Sequence, residues 1–389
     1  MGRRVAIVGI GQTHHRGRRP DVSVGEMINE AVRAALEDAQ LTPKDIDAVL
    51  CSNMDFFEGY YLSDLVMADY TGAFLKPGFK INTGGTTGGA AAEVAWHHIA
   101  SGLFDTVMTI AYQKQDEPIS SQSALMTISD PIYDRLTRSG NVFAYMAEQY
   151  MHETGATEEH AAIDRVKSDQ NALRNPHAHL KLNLTVEEVM NSRMLAYPLR
   201  LLHMCPQSCG ACVLIMASEE RARKITNNPV WYKDQVTVFQ ECWHSTSEPL
   251  GPNPVESTKT VAARKLFARN GITKPRRDIQ CLEMYEPASW CELVWLEDFL
   301  ICDKAEAWKL LEKGVWHLEG EFPVNPSGGV VATNPIGATA MVRVAEAALQ
   351  VRGDAGEHQV TRQVRRAIAS SYGGFNWTIL HLLCGSPDD

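Results

Sequence analysis

The cysteines at 205, 209 and 212, with His203 just upstream, are the first residues whose types and spacing could do chemistry together. A zinc site needs four ligands, usually in two closely spaced pairs. A Cys-x3-Cys-x2-Cys run with one nearby histidine fits no standard zinc spacing, and it continues into the apolar Val213-Leu214-Ile215-Met216. Cysteines on a buried strand are the better reading, and no metal is assigned to this chain. The second candidate is the glycine-rich stretch from Thr83 to Gly89, which precedes an alanine-rich helical run. Two readings of it stand. Amide groups near Gly84 to Thr87, at the start of the helix, could hold a carbonyl oxygen or an oxyanion. Alternatively, the glycines make a tight strand-to-helix turn and nothing more. His97 and His98 farther along that helix read as packing or cap residues.

These residues need a frame, and the hydrophobic periodicity supplies one. Short apolar runs at Val5 to Ile10, Ala48 to Cys51, around Lys80-Ile81-Asn82 and Thr106 to Ala111 read as strands. Between them, Val24 to Ala39 places Met27, Ile28, Ala31, Val32, Ala35 and Leu36 on one helical face, and Gly88 to Ser101 is a second helix. Alternation of this kind predicts a parallel or mixed sheet covered on both faces. From Tyr112 to Leu202 the pattern breaks into two amphipathic helices, Val142 to Thr154 and Glu158 to Arg174, with irregular connections. That stretch reads as a long insertion, and excursions of this length are usually functional. Strand-like sequence resumes at Ala211 to Ala217. The first grammar then repeats: strands at Gln235 to Gln240, Ile279 to Met284, Ala367 to Ser371 and Thr378 to Leu383, and helices at Ser257 to Asn270, Trp290 to Phe299 and Ala338 to Val351. The order of elements suggests a duplicated α/β unit.

Composition narrows the function. The 389 residues suffice for two or three packed units. A net charge of -10 argues against broad nucleic-acid or anionic-membrane binding. Val5 to Ile10 is too short to span a bilayer and lacks a signal-peptide pattern. Arg3-Arg4, and the lack of Ser or Thr at position 6, weaken a myristoylation reading of Gly2. Cys51, Cys281, Cys291, Cys302 and Cys384 lie in apolar runs, as small buried hydrophobes do in a reducing compartment. The cytoplasm is the expected location.

Several segments, taken in order, resemble the thiolase superfamily in its sterol-carrier-protein-thiolase-like branch. Val5 to Thr13 resembles the branch's opening strand. Thr83 to Ala92 is similar to the segment that carries the family's cysteine in a Cys-x-Ser-Gly-Gly pattern. Asn175-Pro176-His177-Ala178-His179 resembles a run in the family's loop domain. Asn325-Pro326-Ser327-Gly328-Gly329 and Asn334-Pro335-Ile336-Gly337-Ala338-Thr339 are similar to its C-terminal glycine-rich signature, and Gln350-Val351-Arg352-Gly353 fits the helix end that follows. The resemblance spans nearly the whole chain. It implies an α/β thiolase fold, five layers αβαβα from two similar halves. The halves would be 1–112 with 203–228, and 229–389, with a loop domain at 113–202 that helps hold coenzyme A.

Carried over residue by residue, the resemblance puts unusual groups at the reacting positions. Gly85 stands where the family keeps its nucleophilic cysteine, and glycine cannot be acylated. Tyr285, in Glu283-Met284-Tyr285-Glu286-Pro287, takes the place of a histidine. It could donate to an enolate or move a proton, or simply fill space. Asn334, in Thr333-Asn334-Pro335, replaces the Gly-His-Pro histidine; it can still donate to an oxyanion but cannot act as a base. Tyr372, in Ser371-Tyr372-Gly373-Gly374, replaces the second, acid/base cysteine. Cys209 falls where the family has the Asp of Asp-Gly-Ala, so it could be a stand-in nucleophile, although burial is the better explanation of it. His203 falls where the family tends to have an acid. His177, His179, Ser327 and Gly328 are the candidates for contacting coenzyme A, with solvated loop histidines as the plainer account of the first two.

The resemblance therefore implies C–C bond chemistry on an acyl-CoA, with coenzyme A as substrate or product. The leading expectation is an atypical thiolase, with aromatic or branched 3-oxoacyl-CoAs, such as benzoylsuccinyl-CoA, within the branch's range. Alternatives are a retro-aldolase acting on a 3-hydroxyacyl-CoA, or a non-catalytic CoA-binding subunit. It also implies a homodimeric core joined by a small zinc-ribbon and OB-fold partner subunit.

Overall fold

The computed structural model describes residues 2–58, 68–117, 141–239, 256–374 and 377–389. Residues 118–140 of the expected insertion, and Gln240 at the end of an expected strand, lie outside the described residues. Helices of ten or more residues are numbered here in chain order.

The chain opens with β1 (Val5–Gln12), buried along its whole length, and α1 (Val24–Ala39). Ser23 caps α1: its hydroxyl accepts from the Glu26 amide while the Glu26 carboxylate accepts from the Ser23 amide, so two of the helix's orphan donors are satisfied. The predicted face of α1 is the buried one, with Met27, Ile28, Ala31 and Ala35 fully inside. β2 (Ala48–Ser52), β3 (Gly78–Ile81), α2 (Thr87–Ala100) and β4 (Thr106–Lys114) follow. The insertion then carries α3 (Asn141–Thr154), α4 (Glu158–Arg174) and a two-stranded ribbon, β5 (Met194–Ala196) with β6 (Leu199–Arg200). β7 (Cys209–Ser218) returns to the main sheet. The rest comprises β8 (Val230–Phe239), α5 (Thr258–Arg269), β9 (Cys281–Glu283), α6 (Ser289–Asp298), α7 (Ile336–Arg352), β10 (Arg366–Tyr372) and β11 (Trp377–Cys384). No described helix is long and apolar enough to cross a membrane.

The strand order, β3-β2-β4-β7-β1-β8-β11-β10-β9, reveals the duplication. β2 runs parallel to β3 and β4, β4 is antiparallel to β7, and β7 to β1. In the second half β9 runs parallel to β10, β10 is antiparallel to β11, and β11 to β8. A parallel bridge from Leu282 to Val324 stands where a counterpart of β3 belongs. The two half-sheets meet through β1 and β8, at Ala6 opposite Trp231 and Ile7 opposite Val230. The strand at Val230 starts earlier than expected because the polar Lys233-Asp234-Gln235 stretch hides its period.

Alternation along the strands builds the layers. Val5 and Ile7 face one apolar cluster, which includes Ala91, Ala95, Met341 and Val344 from α2 and α7; Ala6 and Val8 face another, with α1. Helices α2 and α7 thus form the central layer, with a half-sheet on each side and α1 and α5 outside, giving five layers. The insertion helices α3 and α4 pack on α6.

Candidate active site

The first turn of α2 is built from small residues because backbone crowds it. A Cβ on Gly85 would lie 2.3 Å from the Tyr372 carbonyl oxygen and 3.5 Å from the Tyr285 hydroxyl. A Cβ on Gly88 would lie 2.7 Å from the Met341 amide nitrogen of α7. The threonines close the turn. Thr87 accepts from the Thr83 amide at 2.9 Å and donates to the Gly84 carbonyl at 2.6 Å, and Thr86 donates to the Thr83 carbonyl at 2.8 Å. Amides of a first helical turn have no carbonyl four residues back, so this end favours negative charge.

Two tyrosines converge on that turn from the ends of β9 and β10. Tyr285 is 3% exposed; its amide donates to the Ser370 hydroxyl at 2.9 Å and its own hydroxyl donates to the Ile336 carbonyl at 3.3 Å. Burial, then the nearby Cys205 sulfur, pushes this phenol well above its usual range, so it is a neutral donor. Its ring meets that of Tyr372 edge to face, 6.1 Å between centroids. Tyr372 also packs on Trp295 at 4.8 Å, and the Lys259 ammonium lies 4.6 Å from the Trp295 ring centre and 5.5 Å from that of Tyr372.

Asn334 completes the cluster just before α7. Its amide donates to the Ser208 hydroxyl at 3.0 Å and its carbonyl accepts from the Gln115 side chain at 2.6 Å. Its side-chain oxygen accepts from Thr339 at 2.8 Å, which turns the Nδ2 group toward the Cys205 sulfur at 3.2 Å. Nδ2 carries two hydrogens, so a second donor remains for a ligand.

Buried carboxylates fix the loop that delivers Asn334. Glu286 accepts from the Val330 and Val331 amides at 2.7 and 3.3 Å, and burial pushes its carboxyl up to about 8. Glu283 accepts from the Ser327 hydroxyl at 2.7 Å and from Arg343 of α7 at 2.6 Å. Gly328 lies against Ala172 of α4. His179 donates its backbone amide to Thr333 at 2.9 Å and its ring bonds Ser208 at 2.9 Å; the His177 ring bonds the Thr13 carbonyl at 3.1 Å and stacks on His14. Burial lowers the pKa of both histidines.

Gly85, Tyr285, Asn334 and Tyr372, inferred one by one, are thus gathered around the starts of α2 and α7. Ser327 and Gly328 lie behind them, in the braced loop. Cys209 is placed apart, at the first residue of β7. Its thiol donates to Asp116 at 3.2 Å, and burial and that carboxylate push it up to about 12. His203 is fully buried against Trp290, and burial lowers it to about 3. His97 bonds Gln235, and His98 rests on Phe79 and Phe104. Three neighbours went unread in the sequence. Cys205 shares its spacing with the strand cysteines, yet it precedes β7, is half-buried and touches Asn334. Lys259 looks like any solvated lysine of the predicted Ser257 to Asn270 helix, and Glu286 is one residue of the Glu283 to Pro287 motif. Among the described residues no group of three His, Cys, Asp or Glu side chains could hold a metal ion.

Comparison with known proteins agrees with this frame. Residues 242–384 match the "Thiolase C-terminal domain-like" family model. An acetyl-CoA acetyltransferase of Methanothermobacter thermautotrophicus is 33% identical over 366 residues, 92% of this chain and 93% of its own. The benzoylsuccinyl-CoA thiolase subunit BbsB of Thauera aromatica is 28% identical, covering 96% of each chain. A 17-hydroxy-3-oxo-4-pregnene-20-carboxyl-CoA lyase of Mycobacterium tuberculosis is 29% identical, covering 90% of this chain and 91% of its own. Among solved structures, the Ltp2-ChsH2(DUF35) aldolase superposes with a TM-score of 0.84 at 26% identity, over 99% of this chain and 98% of that one. Sequence and fold together make this chain a member of the thiolase superfamily, in its sterol-carrier-protein-thiolase-like branch.

Proposed function

We propose that this chain works on acyl-CoA thioesters by retro-aldol cleavage, or the reverse addition, of a 3-hydroxyacyl-CoA, rather than by thiolysis through an acyl-enzyme. The observation that carries the reading is the contact at Gly85. A side chain there would start 2.3 Å from a backbone oxygen, so the position has no room for a nucleophile. Retro-aldol cleavage needs none; it needs a proton acceptor, a proton donor and an oxyanion site.

In the reading we favour, the Tyr372 oxygen accepts the proton of the substrate's 3-hydroxyl. The C2–C3 bond breaks, its electron pair passes to the thioester as an enolate, and C3 leaves as an aldehyde or ketone. The α2 amides and Asn334 Nδ2 face the enolate oxygen, and neutral Tyr285 gives a proton to C2. Exchange with solvent resets the two tyrosines. Ser327, Gly328, His177 and His179 then hold the Asn334 loop rather than touch coenzyme A. Cys209, whose thiol is engaged with Asp116, has no step in it.

A heteromeric partner of zinc-ribbon and OB-fold type belongs to the same proposal. It is supported by the two-component name of the solved aldolase and by the word subunit in the name of the Thauera relative. The deciding assay offers the full chain, alone and with any co-purifying polypeptide, a 3-hydroxyacyl-CoA without free CoA. Release of a carbonyl compound with a shortened acyl-CoA is expected. CoA-dependent thiolysis of a 3-oxoacyl-CoA, with no cleavage of the hydroxy compound, would overturn the proposal in favour of the thiolase reading.

A further inference from the structure

Lys259 is 3% exposed and is the second residue of α5, after the cap Ser257 and Thr258. Both facts count against a cation there. Burial strips its hydration, and the amino end of a helix repels positive charge. The first turn of α5 is stitched down regardless. Ser257 donates to the Asp298 carboxylate at 3.0 Å, Thr260 donates to the Asp298 carbonyl at 2.9 Å, and Thr258 bonds Thr378 at 2.8 Å. What receives the ammonium is a pair of ring faces, Trp295 at 4.6 Å and Tyr372 at 5.5 Å. Such contacts strengthen when desolvated. Asp298 and Cys291, both on α6, also feel its charge. A structural cation could have been placed against Asp298 alone. This one is held over the ring of a tyrosine whose backbone borders Gly85.

We propose that Lys259 is a positioning residue that acts through Tyr372, stabilising its phenolate so that this tyrosine, and not Tyr285, accepts the proton. The inference rests on the role given to Tyr372 above and deepens it. A positive charge 5.5 Å from the ring centre of a buried phenol favours its charged form. Tyr285, by contrast, bonds a carbonyl; burial and Cys205, with Glu286, outweigh Thr339 and the more distant charge of Arg343, and it stays protonated. One aromatic pair is thereby split into an acceptor and a donor.

Two measurements test this. In the first, the pH profile of kcat/KM is recorded for the full chain, Lys259→Met and Lys259→Arg. The methionine variant should shift the acid limb upward by about one pH unit and lose about tenfold at pH 7, while the arginine variant keeps the limb in place. A uniform loss at every pH with an unmoved limb would mean that Lys259 only packs, and would overturn the inference. The second does not require turnover: tyrosinate absorbance is titrated, and the contribution of Tyr372 is isolated by difference from Tyr372→Phe. Its midpoint should rise in the Lys259→Met background. An unmoved midpoint rejects the inference even if retro-aldol cleavage is found. A raised midpoint in a protein that cleaves no 3-hydroxyacyl-CoA upholds the electrostatic coupling and rejects the reaction assigned to it.

Discussion

Helices α2 and α7 hold equivalent places in the two halves and lie side by side in the central layer, yet their interiors differ. The buried face of α2 is Thr87, Gly88, Gly89, four alanines and Ile99, with no charged side chain. The buried face of α7 includes Thr339, Arg343, Glu346 and Gln350, each hydrogen-bonded. Duplication has therefore not given two copies of one site. One helix offers only its backbone and the space left by missing side chains; the other anchors polar side chains and the loop that carries Asn334. The chemistry sits where the two kinds of helix start meet.

The sharpest way to break this contrast is to put a side chain in the turn that leads into α2. Gly85→Cys restores the family's residue type but puts its Cβ against the Tyr372 carbonyl, which belongs to β10 and cannot swing aside. We expect C–C bond activity to fall more than a thousandfold, with no acyl-enzyme by mass spectrometry after exposure to acyl-CoA. A cysteine variant that gains thiolysis would show that α2 can still carry a nucleophile, and the asymmetry would collapse.

Next in size is the anchoring on α7. Glu346 accepts from Gln12 at 2.9 Å, Asn175 at 3.3 Å and His358 at 2.8 Å, all buried. Glu346→Ala takes this acceptor from Gln12 and His358, leaves Asn175 with only the Ser327 carbonyl, and should cost about 3–5 kcal/mol. On α2 the counterpart test is Glu93→Ala, which removes a part-buried bond to Thr237 and a loose contact with the exposed His97 and should cost about 1 kcal/mol. Urea unfolding of both variants decides the matter. Equal losses would mean that α7 is no more deeply anchored than its partner.

Tyr285→Phe sharpens the comparison at the junction itself, because the Tyr285 hydroxyl donates to the first carbonyl of α7 while facing Gly85 just before α2. Loss of a proton donor in the transition state should lower kcat about 100- to 1000-fold with a much smaller change in KM. Stability should change by about 1 kcal/mol, the worth of one hydrogen bond. If kcat stays within threefold, Tyr285 fills space and the proton comes from elsewhere.

The contrast between the helices also explains what could be read in advance. Strands such as Val5–Gln12 and helices such as Val24–Ala39 were legible because burial imposes a period of two or 3.6 on residues close in sequence. The four gathered positions were legible only through resemblance, since Gly85, Tyr285, Asn334 and Tyr372 lie in four separate segments. Lys259 was hidden for a physical reason. A buried lysine looks like a solvated one until the faces of Trp295 and Tyr372, far away in the chain, are seen to receive it. Cys205 was hidden by its neighbours, because Cys209 and Cys212 do lie on the buried strand that its own position narrowly misses.

The smallest expected effect concerns pH and again separates the two helices. His358 packs on α7. Burial alone would lower its pKa, but the charge of Glu346 and the bond to it outweigh burial and raise it. A raised folded pKa means that the stabilisation is complete below the ordinary histidine value of about 6.5 and is lost as pH climbs through the elevated value. Glu346 is the converse: burial opposes its charge, but His358 and the other donors hold it down at about 2, so its contribution is complete above the usual glutamate range and fades only as pH falls toward 2. Between neutral and mildly alkaline pH, then, unfolding free energy should decline in the native chain and decline less in His358→Gln. His97 on α2, more than half exposed and 3.6 Å from Glu93, serves as the control. Its glutamine variant should track the native curve, because an exposed pair of this kind contributes little. A His358→Gln curve parallel to the native one would remove the charged pair from the account of why α7, and not α2, is the anchored helix.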